Sequence, residues 1–167
     1  PVIQRLVARV GNAGARLWGR DDLMASIEDQ ILREGDERDG LAIWTILKDG
    51  GWIHQSIPNV RHPLTNGDFR VPFFRHGFDW APEDSGGVSI EQLRDAGEIR
   101  ISLPGNQPDR CVLLRQFLPL AANGIYGLAW RASAQDADSS RGLAWHVRGM
   151  PMKAGEDTIS GDLLDHE

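Results

Sequence analysis

A chain of 167 residues is long enough for one well-buried domain, or for a small helical unit joined to a compact β-domain, and the second arrangement is expected here. Its 18 Lys and Arg stand against 24 Asp and Glu, a formal charge of −6, which lacks the overall basic footprint of nucleic-acid binding. No apolar run is long enough to span a bilayer, and the single cysteine, Cys111, cannot close an intrachain disulfide. Lying in an apolar run, it reads as a small buried hydrophobe. The chain begins at Pro1 rather than Met, which fits a processed product or an excised piece, so targeting signals carry no weight.

Residues 1–57 read as a helical unit. Val2, Ile3, Leu6, Val7 and Val10 recur at the spacing of one helix face, with Ala15, Leu17 and Trp18 as an extension weakened by Gly11 and Gly14. A second helix is expected from Asp21 or Asp22, whose carboxylates suit a helix N-terminus. It presents Leu23, Met24, Ile27, Ile31 and Leu32, and Gly35 ends it. A third runs from about Glu37, buries Leu41, Ile43, Trp44 and Leu47, and stops at Gly50-Gly51. Short connections favour antiparallel neighbours. Trp18, Trp44 and Trp52 read as packing anchors.

Pro58 and Pro63 disfavour a continuing helix and mark the boundary. A β-rich part follows over residues 64–150, opened by the turn signal Asn66-Gly67-Asp68. Glu98–Leu103 alternates, with Ile99, Ile101 and Leu103 inward and Arg100 and Ser102 outward. From Cys111 to Val147 three strands are expected. Asn123-Gly124 supplies the first reversal and a Ser/Asp-rich loop the second, with Tyr126, Leu128, Trp130, Leu143, Trp145 and Val147 forming an inner wall. The fold class is therefore α+β, antiparallel helices followed by an antiparallel β-sandwich. Residues 151–167 form an acidic tail or an incomplete closing segment.

The order Thr65-Asn-Gly-Asp-Phe69, Gly77-Phe-Asp-Trp80, an Ile-x-Ile strand, LLRQFLPL, NGIYGLAWRA and GLAWHV resembles the jelly-roll sandwiches of carbohydrate-binding modules. More narrowly, it is similar to the sandwich that follows tetratricopeptide-like helices in bacterial proteins linked to surface polysaccharide. The resemblance covers residues 64 to 150 and implies a jelly-roll fold, a glycan partner and an envelope-associated or extracytoplasmic location. It also implies a further tryptophan-bearing segment after GLAWHV. MPMKAGEDTISGDLLDHE stands there instead, so either unrecognised strands close the sandwich or an edge is left open to another segment or chain. The helices show no full solenoid repeat and read equally as a solenoid end or a cap.

No P-loop, nucleophile elbow, HExxH or paired-cysteine metal motif is present in the sequence, and His54, His62, His76, His146 and His166 are scattered. No catalytic residue, metal or cofactor is assigned. Sugar recognition combines aromatic faces with convergent polar groups. The candidate ligand-binding residues are Trp80, in Phe-Asp-Trp before a Gly-rich loop, and the outward Arg100, Arg131, His146 and Arg148. Arg115 and Gln116 join them as partly enclosed groups. Planar guanidinium groups suit carboxylate or phosphate, which favours an acidic glycan. The competing reading is solvated arginines paired with carboxylates across strands. The function expected is thus a non-catalytic, carbohydrate-binding-like accessory module without a nucleic-acid partner. The alternatives are a protein-interaction module using the helices and a sheet edge, and an unrecognised hydrolase.

Overall fold

The computed structural model describes residues 21–108, 110–135, 143–149 and 159–162. It is a mixed α/β protein, with two helices and three two-stranded antiparallel sheets among the described residues. It divides into two compact units, residues 1–121 and 122–167. The helix expected over residues 2–18, Trp18 included, lies outside the described residues, as do the side chains of Leu23, Met24 and Ile27.

Helices α1 (Asp21–Arg33) and α2 (Glu37–Asp49) form the expected hairpin. Its ends are built by local chemistry. After α1, Gly35 adopts φ 83°, and the amides of Gly35 and Asp36 turn back onto the carbonyls of Leu32 and Ile31 at 3.0 and 3.1 Å. This double bond pattern satisfies two orphan carbonyls and requires a left-handed residue, which glycine supplies without a Cβ penalty. Asp36 then caps α2, its carboxylate accepting from the Asp39 amide at 3.1 Å. The same closing pattern ends α2 at Gly51 and Trp52.

The core sits on the inner face of this hairpin. Trp44 and Leu47 are fully buried, and Ile31, Leu32, Ile43, Ile53 and Phe78 join them, with Leu41, Phe74 and Phe117 half-buried against the cluster. The core therefore spans the compositional change at residues 58–63. Trp44 meets Phe74 and Phe78 edge-on, each with centroids 5.8 Å apart, a geometry that adds to the area term. Its indole N–H donates to the Ser56 carbonyl at 3.0 Å. Trp52, by contrast, is exposed.

The sheets are small. Strand β1 (Ala81–Pro82) pairs with β4 (Leu114–Arg115), β2 (Ser89–Leu93) with β3 (Glu98–Ser102), and β5 (Ala144–Val147) with β6 (Ile159–Asp162). The β3 alternation is observed, with Ile99 and Ile101 half-buried and Arg100 and Ser102 exposed, but Leu103 lies past the strand end and is exposed. Asn66 and Phe69 adopt φ 49° and 53° and close a turn through the Phe69 amide and the Asn66 carbonyl at 3.0 Å.

Two expectations are corrected here. Residues 125–132 form no strand, and Tyr126, Leu128 and Trp130 are 39, 46 and 41% exposed. Without ladder partners the segment's apolar face stays largely exposed, even though Trp130 packs against Trp145. Cys111 is exposed, because only Leu114 and Arg115 of its run enter a ladder. Of the two readings of residues 151–167, an acidic tail or a closing segment, the described part, Ile159–Asp162, pairs as strand β6 with β5. Glu156, Asp157, Asp165 and Glu167 lie outside the described residues.

Candidate functional site

The first unit holds its loops with buried polar side chains. Asp79 is 1% exposed. Its Oδ2 accepts from the Phe74 amide at 2.6 Å and Gln55 Nε2 at 2.7 Å, and its Oδ1 from Asn66 Nδ2 at 3.3 Å. Burial pushes its pKa up, while the hydrogen bonds from Phe74, Trp80, Asn66 and Gln55 oppose that shift. Gln55 completes its amide with the Pro72 carbonyl and the His54 amide. Asn66 brackets Val71, accepting from its amide and donating to its carbonyl at 3.0 and 2.8 Å. This framework fixes residues 55–79 where no ladder does.

Trp80 and Gln116 belong to the same framework. The Trp80 indole N–H donates to the Asn66 carbonyl at 3.1 Å and its ring packs against Phe69 at 5.6 Å. Gln116 Nε2 lies 3.0, 2.7 and 2.8 Å from Thr65 O, Thr65 Oγ1 and Phe78 O, and the Thr65 hydroxyl itself donates to the Phe78 carbonyl. Phe73 and Phe74 are half-buried and Phe78 is buried. All are engaged internally.

Arg115 and Arg100 are both paired. Arg100 on β3 faces Glu91 across the β2–β3 ladder, with Nη1 3.2 Å from Glu91 Oε2. Arg115 binds Glu83 through Nε, places Nη2 3.7 Å from Asp29 and lies 5.7 Å over the Phe117 ring. Asp29 also holds His76 Nδ1 at 3.0 Å and accepts from the Gly77 amide at 2.7 Å. Beside it, Glu28 is fully buried with neither carboxylate oxygen hydrogen-bonded. Among the described residues no group of three or more His, Cys, Asp and Glu could hold a metal ion.

The second unit carries the remaining candidates. Trp130 and Trp145 pack together with centroids 5.6 Å apart and planes at 66°. Along β5 the half-buried Trp145 and Val147 alternate with exposed Ala144 and His146, and Arg148 is exposed beyond them. Arg131, next to Trp130, is exposed as well. Arg131, His146 and Arg148 make no ion pair among the described residues. Arg131 follows Trp130 in sequence and His146 follows Trp145, with Tyr126 exposed nearby in sequence; an aromatic face can stack on an apolar ring face, and a guanidinium can pair with an anionic substituent.

The seven candidates thus separate into four with internal partners, Trp80, Arg100, Arg115 and Gln116, and three exposed cations, Arg131, His146 and Arg148. Glu28, Asp29, Asp79 and Gln55 were not singled out by the sequence reading. Glu28 carried a signal: it stands three and four residues before Ile31 and Leu32, a carboxyl on an apolar helix stripe. No helix among the described residues is long and apolar enough to cross a membrane. Compared with family models, curated proteins and solved structures, the chain gives no match.

Proposed function

We propose that this protein is a non-catalytic binding module for an acidic glycan, using the Trp130–Trp145 pair and the adjacent cations Arg131, His146 and Arg148. The observation that carries the reading is the packed Trp130–Trp145 pair, with Trp130 41% exposed and Trp145 half-buried, and exposed cations next to them in sequence that lack ion-pair partners among the described residues. An aromatic face accepts the apolar side of a pyranose ring, and a guanidinium fork accepts a uronate or sulfate group. The jelly-roll reading of residues 64–150 belongs to this proposal, supported by the purely antiparallel pairing of the strands. Titration with a polyuronate and with a neutral glucan tests it. Binding is expected for the polyuronate, weakened by roughly tenfold in Arg131→Ala and in Arg148→Ala, the loss of one charge-assisted contact. Equal binding of both polymers, or unchanged affinity in both variants, would contradict it.

A second reading is favoured by a different observation. Ile125 is completely exposed and Tyr126 and Leu128 are 39 and 46% exposed, an apolar run that suits a protein partner. Concentration-dependent light scattering, with Ile125→Ser and Leu128→Ser as variants, distinguishes this from a glycan-only surface.

A further inference from the structure

Helix α1 sends two consecutive carboxyl groups to one short segment, and the segment treats them oppositely. Asp29 is fully engaged, accepting from the Gly77 amide at 2.7 Å with His76 at 3.0 Å and Arg115 at 3.7 Å. Glu28 is fully buried and neither of its oxygens has a hydrogen-bond partner. Its carboxyl group packs against the bare Cα of Gly77, since a Cβ there would stand 2.5 Å from both the carboxyl carbon and Oε1.

A buried charge needs a partner or a counter-charge. Of the described charged groups around this segment, Arg75 is exposed and makes no ion pair among the described residues, and the other two serve other carboxylates. Arg115, on β4, serves Glu83 and Asp29, and His76 serves Asp29. Asp29 adds like charge one residue away on the same helix. Glu28 is therefore held as the neutral acid, its pKa pushed up to about 9 by burial first and by Asp29 second.

We propose that α1 is a proton-coupled latch: it seats on the 76–78 segment with Glu28 neutral, and lifting of the helix exposes Glu28 to water and releases its proton. The sign follows from linkage. A carboxyl group that titrates near 4.5 when hydrated and about 9 when seated makes the lifted state about tenfold more populated for each pH unit between those values. Outside that window the population is flat. Acidification tightens the latch and alkalinisation loosens it.

Amide hydrogen exchange of the whole chain from pH 5 to 8, corrected for the intrinsic exchange rate, reads this directly. Protection of α1 amides is expected to fall about tenfold per pH unit. Glu28→Gln, which keeps the shape without the titration, abolishes the slope, while His76→Gln, the control for the other ionisable group on the segment, retains it. Carbon-13 titration of the Glu28 carboxyl in the unmodified chain gives a second readout that needs no variant, with a midpoint expected well above the carboxylate range. A flat wild-type profile, a slope that persists in Glu28→Gln, a slope lost in His76→Gln, or a Glu28 midpoint near 4.5 would each overturn the proposal.

Discussion

Replacing Asp79 with alanine strips the acceptor from three close donors, the Phe74 amide at 2.6 Å, Gln55 Nε2 at 2.7 Å and Asn66 Nδ2 at 3.3 Å, and from the Trp80 amide as a weaker fourth. Both carboxylate oxygens face only donors, so the site is built for the ionised form. Each stranded buried donor costs about 1–3 kcal/mol. The 3.3 Å contact is the weakest of the three, and removing the carboxylate recovers the desolvation cost that pushes its pKa up. The net loss for Asp79→Ala is then about 3 kcal/mol. Asp79→Asn can keep its oxygen on the Phe74 and Gln55 donors while turning its NH2 towards Asn66, and should lose about half as much. Urea unfolding followed by circular dichroism, with unchanged m values, measures both. An alanine variant within about 1 kcal/mol of wild type, the low end of a single stranded donor, would refute the reasoning. An asparagine variant as damaged as alanine would do the same.

Other perturbations follow from the same geometry. Gly77→Ala places a Cβ 2.5 Å from the Glu28 carboxyl at a residue with φ 55°, and should cost at least about 1–2 kcal/mol from the backbone alone, with part of any further loss recovered in combination with Glu28→Ala; thermal melts of the single and double variants decide. Glu28→Gln should change the pH dependence of global stability. The neutral acid contributes fully below pH 4.5, and that contribution is lost as pH rises towards about 9, so by pH 7 the variant gains about 3 kcal/mol on wild type. Parallel stability curves for the two proteins would count against this. Gly35→Ala forces a Cβ onto φ 83° and should lower stability by about 1–2 kcal/mol, read by denaturant titration.

The helical part was legible because its signals are local. Gly35 and Gly50-Gly51 stop helices by backbone geometry, and the spacing of Ile43, Trp44 and Leu47 selects the buried face whatever lies opposite. The β3 alternation was legible for the same reason. Residues 125–132 misled because alternation reports which side chains share a face and not whether a partner strand exists to bury them. Tyr126, Leu128 and Trp130 share that register and remain exposed. The polar framework was hidden for a different reason. Gln55 reaches Asp79 over 24 residues and Gln116 reaches Thr65 over 51, and no periodicity encodes such contacts. Arg100 was placed correctly on the outer face of its strand, yet only the β2–β3 register reveals Glu91 opposite it.

The central claim is that the Trp130–Trp145 pair, exposed at Trp130, and the cations next to it in sequence bind an acidic polysaccharide. Isothermal titration of the whole chain with a polyuronate, at low and at physiological salt, tests it most directly. Saturable binding is expected that weakens as salt rises, since guanidinium–carboxylate contacts at an exposed surface are screened. Trp130→Ala should abolish it by removing the stacking face while leaving the core around Trp44 intact. No heat of binding at low salt, or undiminished affinity in Trp130→Ala, would contradict the account.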